Sequence, residues 1–198
     1  DDDIFFRASL LASRVQNLSP TRGYYHQQRY LAGATIGKRF GFYEMLSGQL
    51  SYDDWKVSDA IARGTISLDG RDAFVSLGLI YSYDTRDVRE YTTSGQEVTF
   101  QVSKVGFGET GVDFFRYGYN VSSFFPLPGD LSIGGRTHGT FSSGGPVPPY
   151  RYVYFGYGER IRGYFNDVIE GENIVGGNVE MRIPILSPLY YEFPYSPL

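Results

Sequence analysis

The feature that most constrains this chain is a hydrophobic rhythm with a period of two. Over residues 73–83 the odd positions are Ala73, Val75, Leu77, Leu79, Tyr81 and Tyr83, while Ser76, Gly78 and Ser82 fall on the other side. Only an extended strand sends alternate residues to opposite faces. The rhythm recurs where Leu131, Ile133, Gly135, Thr137 and Phe141 alternate with Asp130, Ser132, Gly134, Arg136 and His138. It recurs again where Val175, Gly177, Val179, Met181, Ile183 and Ile185 alternate with Asn178, Glu180 and Arg182. Noisier alternation covers 4–15, 28–38, 42–53, 98–107 and 112–124. The reading is all-β and antiparallel, with about eight strands, each long enough to cross a tilted barrel wall.

Soluble sandwiches alternate too. Two features favour a transmembrane β-barrel instead. The second face is small and polar and includes Arg7, Arg29, Arg116, Arg136, Glu180 and Arg182, which suit a wet lumen. The joins also differ by end: those near 17–23, 55–71 and 142–173 are long, and those near 39–41 and 125–129 are short. Outer-membrane barrels have long loops outside and short turns inside. The join at 85–97 is a longish inner turn and that at 108–111 a very short outer loop, so the rule is followed unevenly.

Composition agrees. The chain has 18 Tyr, 15 Phe and 25 Gly in 198 residues, and aromatics suit a pleated surface. A net charge of −4 offers no basic field for nucleic acid. The absence of cysteine excludes disulfide scaffolds and Cys-ligated zinc. No apolar run reaches the roughly 20 residues of a spanning helix. The chain opens Asp1-Asp2-Asp3 without a signal peptide, so the expectation is an internal or processed N-terminus. The Gly- and Pro-rich stretch 142–149 reads as the start of a loop within one domain.

Catalytic and metal-binding readings find little support. Asp84 and Asp87 flank Thr85 and Arg86 in a turn, where carboxylates organise backbone hydrogen bonds. His26 and His138 lack ligand-like spacing. Gly156-Tyr157-Gly158 does not lead a strand into a helix, so a dinucleotide reading fails. Asp53, Asp54 and Asp59 read as a solvated acidic loop rather than a weak cation site. No catalytic residue, metal or cofactor is expected.

One loop motif stands out. Ile161-Arg162-Gly163-Tyr164 closes a glycine-rich stretch, and the next strand places Glu180 and Arg182 on the polar face. If the loop folds inward, the Arg162 guanidinium can meet a carboxylate there as a fork, with Gly163 allowing close approach to the wall. Solvated surface is the alternative reading for Arg162.

These residues carry a resemblance. Ile161-Arg162-Gly163-Tyr164 resembles the V/I-R-G-F/Y tip of the sixth loop in the BamA-like superfamily, and Glu180-Met181-Arg182-Ile183-Pro184 resembles the E-x-R-x-P of its following strand. Tyr83-Asp84-Thr85-Arg86-Asp87 with Thr92-Thr93-Ser94-Gly95 resembles its Y-D-T-R-D … P-T-S-G turn, with Tyr91-Thr92 where a proline is common. The glycine pair before the loop tip is interrupted by Tyr157.

The resemblance implies a sixteen-strand barrel preceded by POTRA domains. Residues 1–198 would supply about its fifth to twelfth strands, and the gate strands that template client strands would lie outside this stretch. It also implies that Arg162 contacts the inner wall, with Glu180 as acidic partner and Arg182 beside it. Asp84, Thr85, Arg86 and Asp87 would form a periplasmic turn. The implied setting is the outer membrane of a Gram-negative bacterium, or of an organelle. Implied partners are outer-membrane lipids, unfolded outer-membrane clients and accessory lipoproteins. A two-partner-secretion translocator, a barrel anchoring a fused enzyme such as a patatin-like lipase, and a small closed eight-strand pore stay open as alternatives.

Overall fold

A computed structural model describes residues 3–19, 23–58, 64–108, 110–155 and 169–183. Its strands, in chain order, are β1 (Ile4–Ser19), β2 (Gly23–Phe40), β3 (Glu44–Ser58), β4 (Arg71–Asp84), β5 (Gly95–Val105), β6 (Phe114–Leu127), β7 (Leu131–Ser143), β8 (Val153–Phe155), β9 (Ile169–Gly171) and β10 (Ile174–Arg182). Eight of them form one sheet in the order β1-β2-β3-β4-β5-β6-β7-β10, while β8 and β9 pair separately. Every pairing is antiparallel. The sheet is an open wall with β1 and β10 at its edges.

The alternation sets the faces as expected. One face presents Phe6, Leu10, Ile36, Leu50, Leu79, Val179 and Met181, all exposed in the isolated chain. Leu10 is 88% exposed and Val179 78%, so this face needs an apolar surrounding, which acyl chains provide. The opposite, inner face carries Arg29, Ser122, Ser132, Arg136, Glu180 and Arg182.

Three expectations change. The long join near 17–23 shrinks to residues 20–22, because pairing continues to Ser19↔Gly23. Asp53 and Asp54 are not in a solvated loop: they are buried strand residues of β3. Asp59 lies outside the described residues. The inner face is not polar throughout, because Trp55, Phe74, Val105 and Phe114 all point inward and are buried. Residues of two joins, Val112 and Val147, pack against them. That cover excludes water and lets an apolar core form inside the wall.

Turn geometry fixes the short-join end. Residues 41–43 and 128–130 make tight turns, with Gly41 and Gly129 at positive φ. At Gly95, φ +101°, a Cβ would strike the Thr85 carbonyl, so glycine is required where the 85–94 turn closes. The long join after β7 contains a 3₁₀ turn, Pro149–Arg151, and the β8–β9 ladder.

Candidate functional site on the inner wall

Charged side chains gather on the inner face at two levels. At the loop end, Asp53 is 1% exposed. Its carboxylate accepts from Arg29 Nε at 2.7 Å and from Arg151 at 3.2 Å. Neighbouring strand positions place Arg29 over the Trp55 ring at 4.8 Å, and the 3₁₀ turn brings Arg151 over Phe74 at 5.4 Å. Both cations therefore share the Asp53 carboxylate and each lies over an aromatic ring of its own, which offsets their burial.

Asp72 is fully buried and makes no ion pair with a described residue. It accepts from the Ile66 and Ser67 amides at 2.9 Å each, from the Ser67 hydroxyl at 2.5 Å and from the Tyr150 hydroxyl at 2.7 Å. Four donors satisfy the charge. Tyr150 also stacks on Trp55, with centroids 4.4 Å apart. Burial, then the Asp72 hydrogen bond, pushes its phenol well above the ordinary tyrosine range. Burial pulls the Arg151 guanidinium down, and Asp53 works against that shift. Arg116 donates to the Arg151 carbonyl. Residues 150 and 151 thus tie the first limb of the long loop to β3, β4 and β6.

At the turn end the ions are wetter. Arg86 Nε meets Asp84 Oδ1 at 2.9 Å, and its terminal nitrogen meets Glu97 at 3.1 Å. Arg136 donates to Asn120 at 2.6 Å. Arg182 contacts Glu180 at 2.9 and 2.5 Å, donates to the Thr92 carbonyl, and lies over Phe124 at 4.8 Å. Arg86, Glu97, Asn120, Arg136, Glu180 and Arg182 line a recess of about 370 Å³. In the turn itself Asp87 accepts from the Thr93 amide at 3.0 Å and hydroxyl at 2.5 Å. The Thr93 hydrogen bond holds the Asp87 carboxyl far below the usual range.

The structure therefore places Asp84 and Arg86 beside the recess that Glu180 and Arg182 also line, with Thr85 and Asp87 closing the turn. Ile161, Arg162, Gly163 and Tyr164 lie outside the described residues. Sequence reasoning missed Asp53, Asp72, Tyr150 and Arg151. The available signals were Phe74 on the polar side of an otherwise clean alternation and Trp55, the single tryptophan.

An apolar outer face, an ion-lined inner face and joins that are longest at one end define a sector of a transmembrane β-barrel. The chain belongs to the Omp85 superfamily: the Omp85 superfamily domain matches residues 3–193. Membership places it in the outer membrane of a Gram-negative bacterium or of an organelle. Among solved structures it is similar to BamA from Haemophilus ducreyi lacking POTRA domains 1–3, with a TM-score of 0.77 and 15% identity. The match covers 93% of this chain and 43% of that one, so the chain spans less than half its length. A search of curated proteins finds no match.

Proposed function

We propose that this chain forms part of an outer-membrane barrel that inserts or translocates polypeptides, in the manner of an assembly factor of the BamA or TamA kind. The observation that carries the reading is the superfamily match over residues 3–193, supported by the BamA-like course of the strands. No bond chemistry is involved. Unfolded outer-membrane proteins are the proposed clients, outer-membrane lipids the surroundings, and accessory lipoproteins further partners.

Within that reading the inner wall braces the long loop. Tyr150 and Arg151 would hold its first limb at the loop end. Arg162 would bring its tip to Glu180 at the turn end, where Arg182 and the 85–94 turn frame the recess. Arg162→Ala is then expected to impair barrel folding or activity, read as loss of heat-modifiable gel migration or of client assembly. Unchanged assembly and client insertion in that variant would remove Arg162 from the mechanism.

Depletion of the protein in its host tests the function. The expected result is a fall in folded, heat-modifiable forms of several unrelated outer-membrane proteins. Loss of one exported protein alone would favour the two-partner-secretion translocator. Unaltered outer-membrane and exported proteins would reject both.

A further inference from the structure

Register brings a row of donors and cations together on the lipid face. Arg14 of β1, Gln28 of β2, Lys56 of β3 and Arg71 of β4 are direct cross-strand neighbours. All four share the face that carries Leu10 and Tyr52, and the three cations are exposed. Arg71 is engaged by Asp54, with contacts of 2.8 and 2.7 Å, and its amide donates to Asp69. Arg14 and Lys56 make no ion pair with another described residue. They stand two strands apart, about 10 Å.

The row marks an edge of the apolar band. Toward the turn end from Asp54, the outer rows of β1–β4 carry no charge until Lys38, which pairs with Ile4. The rise from Ile4 to Arg14, at ~3.4 Å per residue and a tilt of ~40°, is about 26 Å, close to the ~25 Å apolar band of such barrels. The cations therefore sit at headgroup level on the loop side.

Below them the same face holds a mainly apolar groove of about 690 Å³, lined by Phe6, Ala34, Ile36, Leu50 and Leu77, and also by Lys104, whose charge Asp113 takes up. The small Ala34 leaves room between its larger neighbours. From Lys56 to Leu50 along the tilted strand is about 15 Å of depth, the thickness of one leaflet in a ~30 Å hydrocarbon core.

We infer that β1–β4 form a binding surface for an anionic lipid of the outer leaflet, its phosphate on Arg14 and Lys56 and an acyl chain in the groove at Leu50. This rests on the membrane-barrel reading and adds to it a partner of stated chemistry. Among the described residues Arg14 and Lys56 hold no carboxylate in an ion pair, since Asp54, whose charge Lys56 feels, is taken up by Arg71. The two cations therefore suit a phosphate, and Gln28 between them supplies a neutral donor. Exposed cations at an acyl boundary also direct their heads toward headgroups.

The test uses the full chain in nanodiscs that mix phosphatidylcholine with a minor fraction of phosphatidylglycerol, with bound lipid identified by native mass spectrometry. Phosphatidylglycerol is expected to be enriched on the wild-type chain. The enrichment should fall about ten-fold or more at low salt in Arg14→Gln/Lys56→Gln. The charge-keeping pair Arg14→Lys/Lys56→Arg should retain it, and Ala34→Phe, which fills the groove, should weaken it. Equal lipid ratios on wild type and the glutamine pair, with heat-modifiable migration intact, would overturn the lipid surface and leave the barrel reading standing. Displacement of the lipid by millimolar inorganic phosphate would overturn it in favour of a free-phosphate site. A chain that stays monomeric and soluble without detergent would instead sink the membrane reading itself.

Discussion

The two ends of the inner wall solve the same problem by different means. Both must keep charged side chains inside a barrel wall. At the loop end the charges are buried under a lid of chain: Asp53 lies between Arg29 and Arg151, Asp72 is held by four donors, and Trp55, Phe74 and Phe114 fill the space between them. At the turn end Arg86, Glu97, Arg136, Glu180 and Arg182 surround an open recess. Water there screens each pair and weakens it. The teaching is that an ion pair's importance follows what covers it. Side-chain exposures of 21% for Arg151 and 1% for Asp53, against 16% for Arg86 and 28% for Glu97, place the sharper difference on the carboxylates.

Truncating the packing at each end should break the symmetry most visibly. Phe74→Ala opens a cavity in the loop-end core and is expected to cost about 3–5 kcal/mol. Denaturant titration of the detergent-folded chain, followed by the heat-modifiable gel shift, measures it. Phe124→Ala at the turn end removes a ring that Arg182 covers beside water, and should lose only about 1 kcal/mol. Equal losses at the two ends would show that the recess is as dry as the core.

Removing a carboxylate comes next. Asp53→Ala leaves two half-buried guanidinium groups without their shared carboxylate, with an expected loss of about 3 kcal/mol. Removing the Asp53 charge should also release residues 146–152 to added protease. Tyr150→Phe deletes one donor to Asp72 and retains the stack on Trp55, so about 1–2 kcal/mol is expected in the same titration.

The smallest effect sharpens the comparison through pH. Asp87 has a folded pKa below its unfolded value near 3.9. Its stabilisation of the turn is therefore complete above about pH 4 and is lost as pH falls through the lower folded value. Amide exchange across residues 85–94 should be unchanged between pH 7 and 5 after correction for intrinsic rates, and faster near pH 2. Thr93→Val, which removes the main hydrogen bond, should move that onset upward. Protection that already fails at pH 5 would contradict the assigned role of Thr93.

How legible each end was depends on the range of its contacts. The turn is built from residues a few positions apart, Asp84 with Arg86 and Asp87 with Thr93, so Asp, Thr and Gly at short spacing announced it. Alternation likewise announced the outer face, because every second residue of β4 and β10 answers to the same lipid. Strand ends were misread where β1, β2 and β3 run on with polar residues on both sides, since pairing there continues without an apolar partner to mark it. The loop-end core was hidden for another reason. Asp53 meets Arg151 across 98 positions and Asp72 meets Tyr150 across 78, and no local pattern encodes what will lie on top of Phe74. The membrane barrel could be read strand by strand; its interior required the fold.

The anchored loop limb also bears on how the wall is assembled. From β1 to β7 each strand pairs with its neighbour in sequence, so the sheet can zip up hairpin by hairpin, with short searches at most steps. The step from β7 to β10 is different, because Ile174 must find Thr140 only after the chain has run out through residues 144–173 and returned. Closure entropy rises with the length of the free segment. Once Tyr150 and Arg151 are docked on β3 and β4, the part of that segment still searching is shorter, and the β8–β9 ladder draws its ends together. The inner-wall contacts would then favour β10 joining the sheet after β1–β7 have formed the surface it needs.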